Sequence, residues 1–195
     1  KPVTILAFGD MMLGRYVWTL MEANGHDYPF EYYPELLATM MEDENGEALS
    51  GPDFVMANLE GPISDSDYVN PGTAMTFNFR PEVVDTIQKY GFNLLGLANN
   101  HAYDMGEYGA TQTRLNLTEA GIHHFGHPKE IREESAWTTE VHDTTLTFIE
   151  FNDTVQDHLD YSAAIDLIPS FENTSDFTIV SIHWGTEYRT TPTGE

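Results

Sequence analysis

Short apolar runs of strand length alternate along the chain with segments of helical periodicity. Five runs are rich in β-branched and aromatic residues, and several are apolar throughout, which is typical of strands buried on both faces. These predicted strands span residues 3–8, 53–59, 92–98, 145–151 and 177–184. Between them, the spacing predicts helices over 80–91 and 108–121, each ending at a glycine. Helices that return the chain to the same edge of a sheet predict a layered α/β fold.

The polar segments between these elements predict loops. Residues 24–52 are expected to form a polar loop or a partly helical excursion, and residues 64–76 a second loop. The histidine-rich segment "GIHHFGH" at 121–127 is expected to be a solvated loop, with a surface metal site as the alternative.

Composition changes this picture in three ways. The 195 residues, 41% of them hydrophobic, predict one sizeable core and a single domain over 1–195. The 32 acidic against 8 basic residues give a formal charge of −24, which would repel a phosphate backbone and argues against nucleic acid as a partner. Cysteine is absent, so any metal must be held by oxygen and imidazole ligands.

The two ends of the sequence suggest that it is part of a longer protein. No stretch approaches the roughly 20 apolar residues that span a bilayer. Because the sequence starts on Lys1, we expect that a leader or anchor has been removed. Because it stops soon after the last strand pattern, at Glu195, we expect a domain truncated at its C-terminus.

Polar side chains follow four of the predicted strands at the point where each strand ends. In α/β sheets the ligand site lies beyond the carboxyl ends of the strands, so these side chains should converge. Each of these residues also has a common structural role. An aspartate at a strand end often caps a helix, an Asn pair often forms a turn, and a histidine often hydrogen-bonds to the backbone. Their joint occurrence favours a site for Mn, Zn, Fe or Mg. The strand-end residues are Asp10, Asn58, Glu60, Asn99, Asn100, His101, His183 and Glu187.

Two further residues belong to the candidate site. Arg15, in a helix that opens just after Asp10, could bind a phosphate or carboxylate, or form an ion pair with an acidic residue. Asp104 could orient His101 by a hydrogen bond or serve in the turn before the next helix.

Four motifs together resemble a known family. "GDMMLGR", "NLEGPIS", "FNLLGLANNHAYDMGEYGATQTRLNLTEAGI" and "IVSIHWGTEY" are similar to the bacterial CapA family, associated with poly-γ-glutamate and capsule synthesis. That family resembles the calcineurin-like metallophosphoesterases. The resemblance implies a layered β-sandwich flanked by helices, with a divalent metal at the strand ends and a dinuclear centre in a longer protein.

The resemblance also implies roles for individual residues. The metal ligands would be Asp10, Glu60, Asn100 and His183, and His101 would protonate the leaving oxygen. Phosphoesterases commonly have Asp-x-His where this chain has Asp10 and Met12, and the late Gly-His-x-His motif is absent. The substrate-binding or supporting residues would be Arg15, Asn58, Asn99, Asp104 and Glu187.

Three functions follow as alternatives. The first is a CapA-like, metal-dependent hydrolase that acts outside the cytoplasmic membrane on a phosphoester or an anionic polymer, associated with the membrane or a membrane-bound synthesis complex through a segment outside this chain. The second is a general metallophosphoesterase, such as a nucleotidase or phosphodiesterase. The third is a non-catalytic scaffold of a polymer synthesis or export complex.

Overall fold

A computed structural model describes residues 1–42, 51–67, 75–154 and 159–185 of the chain. Its first sheet has four strands, all parallel, in the order β1-β2-β3-β4. Helices connect these strands, as parallel pairing requires. The strands are β1 (Ile5–Met11), β2 (Phe54–Leu59), β3 (Leu94–Gly96) and β4 (His123–Phe125), and the helices are α1 (Arg15–Asn24), α2 (Tyr33–Met40), α3 (Val83–Lys89) and α4 (Gly106–Glu119).

The second sheet has three strands in the order β5-β6-β7. The first two pair antiparallel, and the last two pair in parallel along nine residues. The elements are β5 (Ala136–Val141), β6 (Thr144–Thr154), α5 (Tyr161–Leu167) and β7 (Phe177–Gly185), and short 3₁₀ helices span Tyr28–Phe30, Glu133–Ser135 and Ile168–Phe171.

The two sheets pack face to face, and helices cover their outer faces. Between the sheets, Phe54 and Leu94 pack with Phe148 of β6. The opposite face of the first sheet packs against α1, α3 and α4, and the opposite face of β6 packs against α5 through Ala164. Alternate residues of β6 therefore face the two different layers, as strand geometry dictates. This arrangement confirms the expected β-sandwich flanked by helices.

The five predicted strands are present, and the structure adds β4 and β5. The prediction of a solvated loop over 121–127 is wrong, because three of its residues pair with β3 as strand β4. His123 stacks on Trp137 with 4.3 Å between ring centroids, and burial lowers the pKa of His124 to about 4. The 24–52 region holds α2 and a 3₁₀ helix, while residues 43–50 and 68–74 lie outside the described residues.

Among the described residues, no helix combines the length and apolar character needed to cross a lipid bilayer.

Candidate metal centre

The carboxyl ends of β1 and β2 lie side by side, and a bulge in β1 sets the direction of Asp10. Ala7 pairs with Met56, whereas Asp10 pairs with Asn58. Between these two pairs, β1 contains one residue more than β2. An extra residue bends a strand and re-aims the side chains that follow it. The bulge therefore precedes the first candidate ligand directly.

Asp10, Glu60 and His183 form the one group of three metal-ligating side chains found in the described ranges, and their ligand atoms all lie within 4.8 Å of one another. His183 Nδ1 is 3.6 Å from Asp10 Oδ1, and its Nε2 is 3.6 Å from Glu60 Oε1. His183 comes from β7 of the second sheet, whereas Asp10 lies near the end of β1 and Glu60 follows β2 in the first sheet. The cluster therefore bridges the carboxyl ends of both sheets.

The amide of Asn58 lies at the centre of this cluster. Its Nδ2 donates to Asp10 Oδ1 at 2.7 Å and to Glu60 Oε2 at 2.6 Å, and is 3.3 Å from His183 Nδ1. On the far side of the imidazole, Asn100 Oδ1 is 3.0 Å from His183 Nε2. The structure thus brings together the four predicted ligands, with Asn58 bonded to two of them.

Asn99 is fully buried and ties the turn after β3 to the end of β2. Its Nδ2 donates to Asn58 Oδ1 at 2.9 Å and to the Leu59 carbonyl at 2.8 Å, while its Oδ1 accepts the His101 N–H at 3.1 Å. A carboxamide suits this position because it can donate and accept at once. Asn99 therefore supports the cluster from behind.

His101 is buried and held on two sides. Its Nδ1 is 2.7 Å from Asp104 Oδ2, and its ring stacks on Phe77 with 3.9 Å between centroids. Asp104 Oδ2 also accepts the Phe77 N–H at 2.6 Å. Asp104 thus orients His101, one of the two roles expected for it, and makes no side-chain cap to α4. The carboxylate fixes the ring and favours a proton on Nδ1.

Arg15 lies at the start of α1 with an exposed side chain. Its guanidinium is 5.7 Å from the centre of the Phe77 ring, and its Nη1 is 3.2 Å from Met75 Sδ. Its φ of 53° is in the left-handed region, a strained conformation for a non-glycine residue that is found preferentially at functional sites. No carboxylate of the described residues forms an ion pair with it. Glu187, the remaining predicted residue, lies outside the described residues.

Charge and burial oppose each other in the cluster. Contact with His183 lowers the pKa of Asp10, whereas burial raises the pKa of Glu60. Burial disfavours the His183 imidazolium, but the hydrogen bond to Asp10 and the charge of Glu60 outweigh it and raise the pKa of His183. Without a cation, the neighbouring carboxylates therefore favour the protonated form of the His183 imidazole.

Sequence reasoning missed Glu150, which lies behind the cluster. It is 1% exposed on β6, and burial raises the pKa of its carboxyl to about 7. The sequence "TLTFIEF" indicates this position, because its one acidic residue lies in a predicted strand that is otherwise apolar and buried. Burying a carboxylate without an ion-pair partner costs folding free energy, so a buried acid at this place is a candidate functional residue.

The contact between Asp10 and His183 predicts a pH dependence for the metal-free protein. The pKa of Asp10 is below its usual 3.8, so its stabilisation is present above 3.8 and lost as pH falls through the lowered value. The pKa of His183 is above its usual 6.5, so its stabilisation is present below 6.5 and lost as pH rises through the raised value. We expect the difference in Tm between wild type and His183→Gln, measured with chelator, to be largest between these two pH values. A difference that grew at alkaline pH would contradict this charge assignment.

Comparisons with known proteins agree with the motifs. The model of the bacterial capsule synthesis protein family PGA_cap matches residues 4–195. The chain is 25% identical to capsule biosynthesis protein CapA of Bacillus anthracis, an alignment covering 98% of this chain and 49% of that protein. It is also 25% identical to PGA biosynthesis protein CapA of Bacillus subtilis strain 168, covering 94% and 49%. The chain thus spans about half the length of these curated relatives.

A solved structure shares the fold. A phosphatase from Mycoplasma pneumoniae superposes with a TM-score of 0.50 at 12% identity, covering 94% of this chain and 56% of that one. At this identity the likeness concerns the arrangement of sheets and helices, and the chemistry must be argued from the side chains of the cluster.

Proposed function

Because the chain belongs to the bacterial capsule synthesis protein family PGA_cap, we propose that it takes part in making a capsule polymer such as poly-γ-glutamate, with the strand-end cluster as the metal site of a phosphoester hydrolase. The observation that carries the proposal is the convergence of Asp10, Glu60 and His183 from both sheets.

The donor set fits a divalent cation. Two carboxylates and an imidazole, with the Asn100 carboxamide oxygen beside the imidazole, are ligands that Mn, Zn, Fe and Mg accept. A cation held by Asp10 and Glu60 would compete with the Asn58 amide, which now donates to the same carboxylates. When bound, such a metal polarises a phosphoryl oxygen and lowers the pKa of a coordinated water.

The residues around the cluster would bind the substrate and protonate its leaving group. The Asp104 carboxylate holds His101 in one orientation, from which the imidazole protonates the leaving oxygen as a general acid. The Phe77 ring packs against that imidazole, and the Arg15 guanidinium lies over the same phenyl ring. Arg15 thereby supplies a positive charge beside the phenyl ring that packs on the general acid, where it can bind a phosphoryl oxygen or a carboxylate.

The second residue after Asp10 limits the number of metal ions that the site can bind. Met12 stands where phosphoesterases commonly have a histidine, and its sulfur accepts the Gly14 N–H at 3.3 Å. The thioether is therefore engaged with the backbone of its own turn. The described ligands support one metal, and a second would need ligands from the rest of a longer protein.

We place the proposed activity outside the cytoplasmic membrane, where capsule polymers accumulate. The substrate would be a phosphoester or the anionic polymer itself, and the partner a membrane-bound synthesis complex. Support comes from the family, whose curated members here are named for capsule and PGA biosynthesis.

The test is hydrolysis of bis(p-nitrophenyl) phosphate by the full-length protein loaded with Mn²⁺. We expect turnover that EDTA abolishes and Mn²⁺ restores, and that falls to the EDTA background in Asp10→Asn. Asp85→Asn, an exposed aspartate in α3, is the matched control and should keep full activity. Bound metal without turnover on phosphodiesters or phosphomonoesters would refute the hydrolase and favour the scaffold.

A further inference from the structure

Glu150 lies in the interior between the two sheets, and a space made by two glycines accommodates its carboxylate. An ideal Cβ on Gly96, the last residue of β3, would overlap the carboxylate. A Cβ on Gly126, just after β4, would stand 2.6 Å from Glu150 Oε2. Larger residues at either position would collide with the acid. Strands β3, β4 and β6 are thus arranged around one buried carboxyl group.

The two carboxylate oxygens have different partners on different sheets. Oε2 accepts the Ala98 N–H at 2.7 Å, in the turn after β3. Oε1 accepts the Ser181 hydroxyl at 3.3 Å, on β7. Among the described residues no lysine or arginine forms an ion pair with Glu150. A buried acid without a cationic partner gives up hydration, and these two donors only partly replace it.

Each of these partners lies two residues before a candidate ligand. Ala98 precedes Asn100, and Ser181 precedes His183 on the same face of β7. Asn100 and His183 are themselves in contact, with 3.0 Å between Oδ1 and Nε2. Glu150 therefore links, through one side chain, the turn and the strand that must be in register for this contact.

We propose that Glu150 is a positioning residue of the metal centre, which holds the turn after β3 and strand β7 together so that Asn100 and His183 meet. The predicted effect on metal affinity rests on the proposed function. The positioning of Asn100 and His183 does not require a metal. Supporting groups of this kind are worth about 10- to 100-fold in metal affinity when removed.

The first experiment measures Mn²⁺ and Zn²⁺ affinity by titration calorimetry in three variants. Glu150→Ala should bind about 10- to 100-fold more weakly than wild type. Glu150→Gln keeps an acceptor for Ala98 and a polar group for Ser181, so it should recover most of that loss. Ile149→Ala is the control, because this fully buried neighbour faces the α5 layer and its loss destabilises β6 without touching Ala98 or Ser181. Wild-type affinity in Glu150→Ala, or an equal loss in Ile149→Ala, would overturn the proposal.

A second measurement separates this inference from the proposed function. Amide hydrogen exchange at Ala98 and the NMR signals of Asn100 and His183 can be followed in the metal-free protein. We expect faster exchange and shifted signals in Glu150→Ala, and near wild-type behaviour in Ile149→Ala. If wild type binds no metal, the metal centre fails while the exchange data still decide the positioning role. Unchanged exchange and signals in Glu150→Ala would refute it.

Discussion

Replacing His183 by alanine is expected to weaken metal binding by more than about 100-fold, beyond the 10- to 100-fold usual for a supporting residue. His183 is the only member of the three-residue cluster that comes from the second sheet, and it contacts both carboxylates and Asn100. Without the imidazole, Asp10 and Glu60 would hold a cation from one side only. The measurement is metal content by elemental analysis after loading with Mn²⁺ or Zn²⁺ and desalting.

His26→Ala is the matched control for this variant. His26 is exposed after α1, its ring centroid lies 5.1 Å from that of Trp18, and it is not part of the metal-ligating cluster. It should retain the wild-type metal content, which would exclude a general effect of removing one histidine. Stoichiometric metal in His183→Ala would show that the cation binds elsewhere, and the cluster would then be a hydrogen-bonded network.

The layered fold follows from the sequence because its strands are apolar on both faces. The runs that became β2 and β6 are buried on both faces between two layers. The equally apolar run that became β7 is largely exposed, with Phe177 and Trp184 open to solvent. The three-residue strand β4 escaped prediction since "HHF" is polar in its first two positions. Its pairing depends on β3, a neighbour that is distant in sequence and that local periodicity cannot indicate.

The candidate site was predictable as a set of strand ends, but its internal contacts were not. The hydrogen bond between His101 and Asp104 spans three residues, so local sequence could indicate it. Apart from the bond between Asn58 and Glu60, the contacts of Asn58 and Glu150 join residues 31 to 125 positions apart. Such pairs depend on how two sheets pack, and one sequence contains no direct record of that packing.

His101→Gln is expected to leave metal binding intact and to lower turnover by about 10²- to 10⁴-fold on esters with poor leaving groups. Glutamine keeps polar contacts in the buried site but cannot supply a proton as imidazolium does. The loss should shrink with p-nitrophenyl esters, whose leaving group needs little protonation. Asp104→Asn should show the same leaving-group dependence more weakly, because the imidazole remains but loses its carboxylate partner.

His127→Gln provides the control, since His127 is as buried as His101, at 8% exposure, but outside the metal-ligating cluster. Its turnover on both classes of ester should match wild type. The comparison separates general acid catalysis from damage to the fold. A misfolded site loses activity on every ester alike. The loss of a general acid lowers the rate only for esters whose leaving oxygen needs a proton. An equal loss on good and poor leaving groups in His101→Gln would therefore remove His101 from the proton transfer and leave it the role of packing against Phe77.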